Sequence, residues 1–350
     1  MRTELVITRP DDWHLHLRDG AGMADVVPHS ARRFARAIVM PNLVPPITTT
    51  KQARAYREGI IAAVPEGLDF DPLMTLYLTD ETTPQEIRLA NGDEHVVAVK
   101  LYPAGATTNS DSGVTDLERT LPVLEEMAEL GLPLLVHGET TDGAVDIFDR
   151  ERDFLDTVLD PLMRRVPDLK LVVEHITTAD AVNWVLHAPP HVAATITVHH
   201  LLFDRNVIFA GGLSPHHYCL PVLKRRQHQE ALLWAATSGN PRFFLGTDSA
   251  PHPRRNKEAP RGCAGIFTAH AAIELYAEVF DEAGALDRLE GFASHYGPDF
   301  YGLPRNRERI VLRRDSWRVP EHYAFGDDEL VPLRAGQSVA WSFAGRADTG

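Results

Sequence analysis

The chain has very little cysteine. Cys219 and Cys263 are the only two cysteines among its 350 residues. This number is too small for a disulfide-rich secreted scaffold, and it excludes a zinc site built from thiolates alone. We therefore expect two reduced thiols in a cytoplasmic protein.

Long apolar runs and an excess of basic residues are also missing. No stretch approaches the roughly 18 apolar residues of a membrane span, and the charged start of the chain does not resemble a signal peptide. Lys and Arg number 35 against 49 Asp and Glu, which gives a formal net charge of -14. Neither a membrane nor nucleic acid is therefore an expected partner. An anionic substrate would need a local positive patch.

Strand-like and helix-like segments alternate along the chain. Near-continuous Val, Ile and Leu runs are typical of strands buried on both faces. The eight runs are Leu5 to Ile7 continuing toward Trp13 to Leu17, Ala37 to Met40, Leu73 to Leu78, Val96 to Tyr102, Leu132 to His137, Lys170 to His175, Val192 to Val198 and Arg242 to Gly246. The segments with helical spacing include Thr49 to Ala63, Asp116 to Leu130, Glu151 to Val166, Ala179 to His187, Gln227 to Thr237 and Ala264 to Phe280.

This alternation predicts an α/β fold, a (β/α)8 TIM barrel of the metal-dependent hydrolase type. A doubly wound open sheet is the alternative, but it would be favoured by a Gly-rich phosphate loop after the first strand, and none is present. We expect residues 1–350 to form a single barrel domain, with a C-terminal extension of short charged segments from about residue 305.

Polar residues stand where the predicted strands end. In a barrel of this kind, chemistry takes place at the C-terminal ends of the strands. Six groups able to bind a metal stand at such positions: His14, His16, Lys100, His137, His175 and Asp248. His14 and His16 point to the same face of their strand because side chains alternate. Such a pair alone is more often structural, but together with the other strand ends it indicates a metal site, and imidazole and carboxylate suit zinc.

Lys100 is the unexpected member of this set. An ammonium group cannot bind a metal, and the simpler interpretation is a lysine whose end reaches solvent or pairs with an acid. A desolvated lysine, however, loses its proton more readily. Its neutral amine can then take up carbon dioxide to give an anionic carbamate, whose two oxygens can bridge two metal ions.

Six motifs together resemble the dihydroorotase family, in its shorter, single-domain bacterial (class II) branch of the amidohydrolase superfamily. They are His14-Leu15-His16-Leu17-Arg18, Met40-Pro41-Asn42, Val99-Lys100-Leu101-Tyr102, Val136-His137-Gly138-Glu139, Glu174-His175-Ile176 and Gly246-Thr247-Asp248-Ser249-Ala250-Pro251-His252. The resemblance runs from about residue 4 to about residue 300. It implies reversible, zinc-dependent cyclisation of N-carbamoyl-L-aspartate to L-dihydroorotate and water, in de novo pyrimidine biosynthesis.

The resemblance also implies a set of residue roles. His14 and His16 would hold the more buried of two zinc ions with Asp248, and His137 and His175 would complete the second. Carbamylated Lys100 (N6-carboxylysine) and a hydroxide would bridge the two ions. Asp248 is placed to act as general acid and base, although alone it would be read as a turn or helix-capping aspartate.

The resemblance also implies which residues bind the substrate. The guanidinium of an arginine can bind a carboxylate through two parallel hydrogen bonds. Arg18 would therefore hold the α-carboxylate, together with Asn42 and His252. The simpler alternative is a surface ion pair of Arg18 with Asp19 or Asp25. The backbone near Leu220 and Ala264 would contact the ring amide edge, with His16 and His137 also facing the substrate. Thr107 and Thr108 would close over it on the loop from Pro103 to Thr115. The family further suggests a homodimer.

Two other functions remain open at this point. Another binuclear cyclic-amide hydrolase, of the hydantoinase or allantoinase type, would use nearly the same metal ligands, but Arg18, Asn42 and His252 call for a carboxylate on the substrate. A non-catalytic dihydroorotase-like partner protein should have lost ligands. His199 and His200, which we expect to end the seventh strand, could support the site or be purely structural.

Overall fold

Eight parallel strands form the centre of the molecule in a computed structural model that describes residues 3–347. They follow one another around the sheet in sequence order, as the alternating pattern predicts, and form a (β/α)8 barrel. These strands are β2 (Asp12–Leu15), β3 (Arg36–Val39), β4 (Asp71–Tyr77), β5 (Val96–Leu101), β6 (Leu134–Val136), β7 (Leu171–Val173), β8 (Val192–Ile196) and β9 (Phe243–Leu245).

Helices cover the outside of the barrel between successive strands. They are Met23–Arg33, Thr50–Ala63, Pro84–Asn91, Leu117–Leu130, the segment built from Arg150–Phe154, Leu155–Leu159 and Asp160–Arg165, then Ala179–His187, Arg226–Thr237 and Ala272–Glu282. Sequence signals mark where several of them begin. Thr83 caps the third helix by accepting a hydrogen bond from the amide of Glu86, and Pro84 occupies the first turn, where its missing N–H is not needed.

The barrel closes where its first and last strands meet. The His16 amide donates to the Ser249 carbonyl (3.1 Å), and the Asp248 amide donates to the His14 carbonyl (2.8 Å). The buried Asp12 carboxylate joins the same two strand ends, because it accepts hydrogen bonds from the amide (2.9 Å) and the hydroxyl (2.6 Å) of Thr247. The closure therefore brings His14, His16 and Asp248 side by side.

Two apolar cores support this arrangement. A large one lies between the strands and the surrounding helices, and a smaller one fills the barrel interior with residues such as Trp13, Leu135 and Phe244. Trp13 stacks on Tyr301, with ring centroids 4.6 Å apart. Gly297 is required beside it, since a Cβ there would lie 1.9 Å from the Trp13 indole nitrogen. The packed interior therefore confines the chemistry to one end of the barrel.

The first predicted strand is in fact two strands. Residues Glu4–Thr8 (β1) lie outside the barrel and pair antiparallel with Arg309–Arg313 (β10), which also pairs with Ser342–Arg346. Pro10 separates β1 from β2 and has no N–H to continue a strand ladder. The C-terminal extension is thus tied to the N-terminus. Its remaining strands form two small antiparallel pairs, Trp317–Arg318 with Ser338–Val339 and Tyr323–Phe325 with Asp328–Leu330.

Two local predictions near the open end of the barrel are wrong. The helix expected from Ala264 begins only at Ala272, and the preceding residues form irregular backbone that faces the centre of the barrel. His199 and His200 do not end the seventh predicted strand but lie in a short helix, Val198–Leu202, which Thr197 caps through its side chain. Capping by Thr197 overrides the apolar pattern at the histidines, whereas before Ala272 the backbone is held by tertiary hydrogen bonds, such as those from the Ala250 amide to the Ile266 carbonyl (2.9 Å) and from the Leu333 amide to the Phe267 carbonyl (2.9 Å). Within residues 3–347, none of the helices has the length and apolar character needed to cross a membrane.

Candidate active site

Three of the predicted metal ligands meet at the barrel closure. The Nε2 atoms of His14 and His16 lie 3.3 Å apart. An oxygen of the Asp248 carboxylate is 3.0 Å from the His16 nitrogen and 3.4 Å from the His14 nitrogen. All three side chains are buried. Two ring nitrogens and a carboxylate oxygen therefore converge on one point, away from bulk water.

The other two histidines stand beside this group. The His175 ring lies between its neighbours, with its centroid 4.9 Å from that of His14 and 4.9 Å from that of His137. Both His137 and His175 are buried, and Nδ1 of His175 has no hydrogen-bond partner among the described residues. The strand ends thus bring four imidazoles together over a span of more than 160 residues of sequence.

Lys100 is completely buried next to these rings. Its ammonium nitrogen finds no hydrogen-bond partner within residues 3–347 and lies 5.0 Å from the centroid of the Tyr102 ring. Burial lowers the pKa of Lys100 to about 8, and the charges of Glu174 and Asp248 only partly oppose this shift. An amine with a lowered pKa and no partner is suited to reaction with carbon dioxide, and it would be costly if it stayed a bare cation.

The protonation states of the group suit metal binding. Burial lowers the pKa of His16 to about 3 and that of His175 well below its ordinary value. Burial alone would raise the pKa of Asp248, but the nearby His14 and the hydrogen bond with His16 outweigh it and hold that pKa well below the usual range. Neutral imidazoles and an ionised carboxylate are the forms that bind a metal ion.

The residues present therefore fit a metal centre. Ligand atoms of His14, His16 and Asp248 all lie within 4.8 Å of one another. Facing ring nitrogens, an unpartnered His175 nitrogen and an unpartnered Lys100 amine are buried polar groups that a bound cation, with a carbamate on the lysine, would satisfy. Nitrogen and carboxylate donors suit zinc.

Two buried glutamates support the histidines, and the sequence analysis assigned them no role. Glu174 contacts Nδ1 of His14 and accepts a hydrogen bond from the Thr195 hydroxyl (3.1 Å). Glu139 lies 3.0 Å from Nε2 of His137. A carboxylate behind a ligating histidine fixes its tautomer and ring orientation. The sequence signal that could have identified these two glutamates is their position next to predicted metal ligands at strand ends.

The backbone is unusual at three of the site positions. Arg18, His175 and Asp248 have φ values of 59°, 41° and 45°, in the left-handed region that residues with a side chain rarely adopt. Such conformations cluster at functional sites, where the surrounding structure imposes them. Here they turn the chain sharply at the strand ends, so that the side chains point into the mouth of the barrel.

All the predicted substrate-binding residues except His252 line the same cavity. Its wall contains the predicted metal ligands other than Lys100, joined by Arg18, Asn42, Tyr102, Thr107, Thr108, Leu220, Ala250, Ala264 and Gly265. Arg18 makes no ion pair with Asp19 or Asp25. Instead, its Nε donates to the Pro251 carbonyl (3.2 Å), and its Nη2 lies 2.9 Å from Nε2 of His252. The remaining nitrogen, Nη1, is buried and lacks a partner among the described residues.

His252 does not line the cavity but contacts two residues that do, Arg18 and Ala264. The same Nε2 of His252 is also 2.9 Å from the Ala264 carbonyl, and burial together with Arg18 lowers the pKa of His252 well below its ordinary value. The Asn42 side chain donates to the Thr108 carbonyl (3.0 Å), and the Thr108 hydroxyl donates to the Ala264 carbonyl (3.3 Å). The loop is therefore docked over the cavity.

His199, His200 and Cys219 form a second buried group of possible ligands. His200 is already engaged, since its Nδ1 lies 2.6 Å from the Thr197 hydroxyl and its Nε2 lies 3.0 Å from the Pro221 carbonyl. Burial raises the pKa of Cys219 to about 12, so its thiol is neutral. These contacts favour a structural role for His200 and Cys219, in holding the segment that leads to Leu220.

Comparisons with known proteins agree with this geometry. Residues 7–311 match the Amidohydrolase family. A dihydroorotase of Nitrosococcus oceani is 63% identical over 344 residues, which are 98% of this chain and 100% of that protein. The crystal structure of a dihydroorotase from Saccharomyces cerevisiae in complex with 5-fluoroorotic acid has a TM-score of 0.90 at 34% identity, covering 98% of this chain and 99% of that one. An L-hydantoinase (dihydropyrimidinase) from Arthrobacter aurescens has a TM-score of 0.81 at 16% identity, covering 98% and 84%. At that identity, the likeness to the hydantoinase extends only to the fold.

Proposed function

Because the chain belongs to the amidohydrolase family, and within it to the dihydroorotases, we propose that it interconverts N-carbamoyl-L-aspartate and L-dihydroorotate in pyrimidine biosynthesis. The observation that carries this proposal is the position of Arg18, which lines the same cavity as His14, His16 and Asp248 and whose buried Nη1 has no hydrogen-bond partner among residues 3–347. A cyclic amide with a carboxylate fits such a cavity, whereas an uncharged hydantoin would leave the guanidinium without a counter-charge.

Two zinc ions would serve as cofactors. His14, His16 and Asp248 would hold one ion, His137 and His175 the other, and carbamylated Lys100 would lie between them. Bound zinc lowers the pKa of water toward neutrality and polarises a carbonyl group. The carbamate would form when the neutral Lys100 nitrogen bonds to the carbon of carbon dioxide and releases one proton.

Asp248 would move the proton in both directions. During hydrolysis its carboxylate takes a proton from the attacking water and gives it to the ring nitrogen as the amide bond breaks. During cyclisation the carboxylate takes the proton from the carbamoyl nitrogen as that nitrogen bonds to the carboxyl carbon, and gives it to the departing oxygen, which leaves as water with one further proton from solvent. The contacts of Asp248 with His14 and His16, which hold its pKa well below the usual range, favour the ionised form that the hydrolytic direction requires.

Arg18, Asn42 and His252 would bind the α-carboxylate, while the backbone at Leu220 and Ala264 meets the ring. The loop bearing Thr107 and Thr108 would exclude water while the substrate is bound. Its hydrogen bonds to Asn42 and Ala264 support this role. The whole chain would act as one barrel domain in a cytoplasmic homodimer. Its two free cysteines are consistent with a reducing compartment.

An assay of dihydroorotate hydrolysis, with zinc determined in the same sample, tests the proposal. We expect turnover that is lost with a chelator and restored by zinc and bicarbonate. A preparation that stays inactive with about two zinc ions bound would contradict the dihydroorotase assignment. A preparation that hydrolyses hydantoin far faster than dihydroorotate would instead support the hydantoinase type. Absence of both bound zinc and activity after supplementation would support a non-catalytic partner protein.

A further inference from the structure

Lys257 is a buried lysine outside the metal centre that the proposed mechanism does not use. It ends the short helix Arg254–Lys257, and only 4% of its surface is exposed. Its ammonium group makes no salt bridge within the described residues. Instead it donates to three backbone carbonyls, those of Tyr218 (2.8 Å), Cys263 (2.9 Å) and Gly265 (2.7 Å).

These carbonyls belong to the two backbone segments that form one wall of the cavity. Tyr218 lies two residues before Leu220, and Cys263 and Gly265 flank Ala264; Leu220, Ala264 and Gly265 all line the cavity. The Gly265 amide also donates to the Tyr218 carbonyl (3.0 Å). Lys257 therefore joins, from behind the wall, two segments that are more than 40 residues apart in sequence.

The bond to Cys263 determines the orientation of one peptide group. The Cys263–Ala264 peptide is trans, so its C=O and N–H point in opposite directions. Because the carbonyl points at Lys257, the Ala264 N–H points away from it. That N–H donates to no acceptor among residues 3–347, whereas the Ala264 carbonyl is already occupied by His252 and Thr108.

The neighbouring glycines show how closely this wall is packed. A Cβ on Gly265, whose φ is 143°, would lie 2.8 Å from the His252 ring, and a Cβ on Gly262 would lie 2.5 Å from the Lys257 carbonyl. The backbone there approaches both Lys257 and His252 too closely for a side chain. Among residues 3–347, the Cys263 carbonyl accepts a hydrogen bond from Lys257 alone, so this bond contributes directly to the orientation of the Cys263–Ala264 peptide.

We propose that Lys257 is a positioning residue for substrate binding: by holding the carbonyls around Ala264, it presents the free Ala264 N–H to an anionic substrate and places a buried positive charge behind that wall. The inference rests on the proposed function, because it assumes an acidic cyclic amide in this cavity. It assigns a role in recognition to a residue that touches neither substrate nor metal.

The test compares steady-state kinetics of dihydroorotate hydrolysis in Lys257→Met, which removes the charge and the donors, with those of Lys170→Met. Lys170 is a matched control, since it is a half-buried lysine without a salt bridge in the described chain, beside Phe300 at the opposite end of the barrel. Both changes remove one positive charge. For Lys257→Met we expect KM to rise about tenfold, as for loss of a charge-assisted hydrogen bond, with kcat within about threefold. For Lys170→Met we expect both constants to stay within about twofold.

Several outcomes would overturn the inference. A KM for Lys257→Met within about twofold of wild type would do so, and so would a fall in kcat at unchanged KM, because either excludes a role in binding. If Lys257→Met does not fold, Lys257→Gln replaces it in the test, because glutamine keeps two hydrogen-bond donors but has no charge. A KM for Lys257→Gln that is raised about threefold or more at unchanged zinc content supports the role. An unchanged KM refutes it. An inactive wild-type protein would overturn the proposed function and this inference together.

Discussion

Glu174 and His14 are 160 residues apart in sequence, yet a carboxylate oxygen of Glu174 contacts Nδ1 of His14 in the buried centre of the barrel. This contact leaves Nε2 of His14 facing His16 and Asp248. The Thr195 hydroxyl, which donates to Glu174 and accepts from the His175 amide (2.7 Å), links the contact to a second predicted ligand. Glu174 therefore connects two predicted ligands on different strands.

The first prediction concerns this contact. Glu174→Gln should lower the affinity for zinc about 10- to 100-fold, because the amide cannot enforce the same histidine tautomer and basicity. Chelator competition measures the change. Glu151→Gln is a suitable control, since Glu151 is an equally buried carboxylate whose hydrogen bonds come from Thr177 and Thr178 instead of a histidine. Equal zinc affinities in the wild type and Glu174→Gln would contradict the role.

Removing the Lys100 amine should change the metal content. Lys100→Ala should bind about one zinc ion per chain instead of about two and lose most activity, since the proposed bridging carbamate cannot form. A short carboxylic acid such as acetate should restore part of both, because it can supply two oxygens in the vacated space. Metal analysis and turnover provide the two readouts. Full activity in this variant would refute the carbamate.

A substitution at Asp248 should lower the reaction rate without changing the stability of the fold. Asp248→Asn should reduce kcat about 1000-fold, within the range for loss of a general acid and base. Asparagine tolerates the left-handed φ of 45° at this position, so the thermal unfolding temperature should change little. Kinetics and thermal denaturation of the same preparation check both expectations. A kcat near that of the wild type would exclude Asp248 as the proton carrier.

Arg18 should discriminate between substrates with and without a carboxylate. Arg18→Ala should raise KM for dihydroorotate and carbamoyl aspartate about 10-fold or more, while weakening an uncharged hydantoin far less. Arg18→Lys should recover only part of this loss, because an ammonium cannot form the bidentate fork. Equal losses on charged and uncharged ligands would show that Arg18 shapes the cavity without reading the carboxylate.

The sequence by itself determined the barrel and the kinds of residue at its mouth. Continuous apolar runs, five of which end in or close to a histidine, lysine or aspartate of the predicted metal site, predict both the strands and the convergence of polar groups, because parallel strands end on one side. Helix starts such as Thr83-Pro84 could also be predicted, since capping depends on neighbouring residues alone.

Only the tertiary structure decided how these residues act together. The left-handed backbone at Arg18, His175 and Asp248, and the irregular segment before Ala272, follow from barrel closure and contacts across the chain. The roles proposed for Glu174 and Lys257 likewise depend on partners between 6 and 160 residues away. Local propensity contains no information about such partners, because these hydrogen bonds exist only after distant strands and loops have packed.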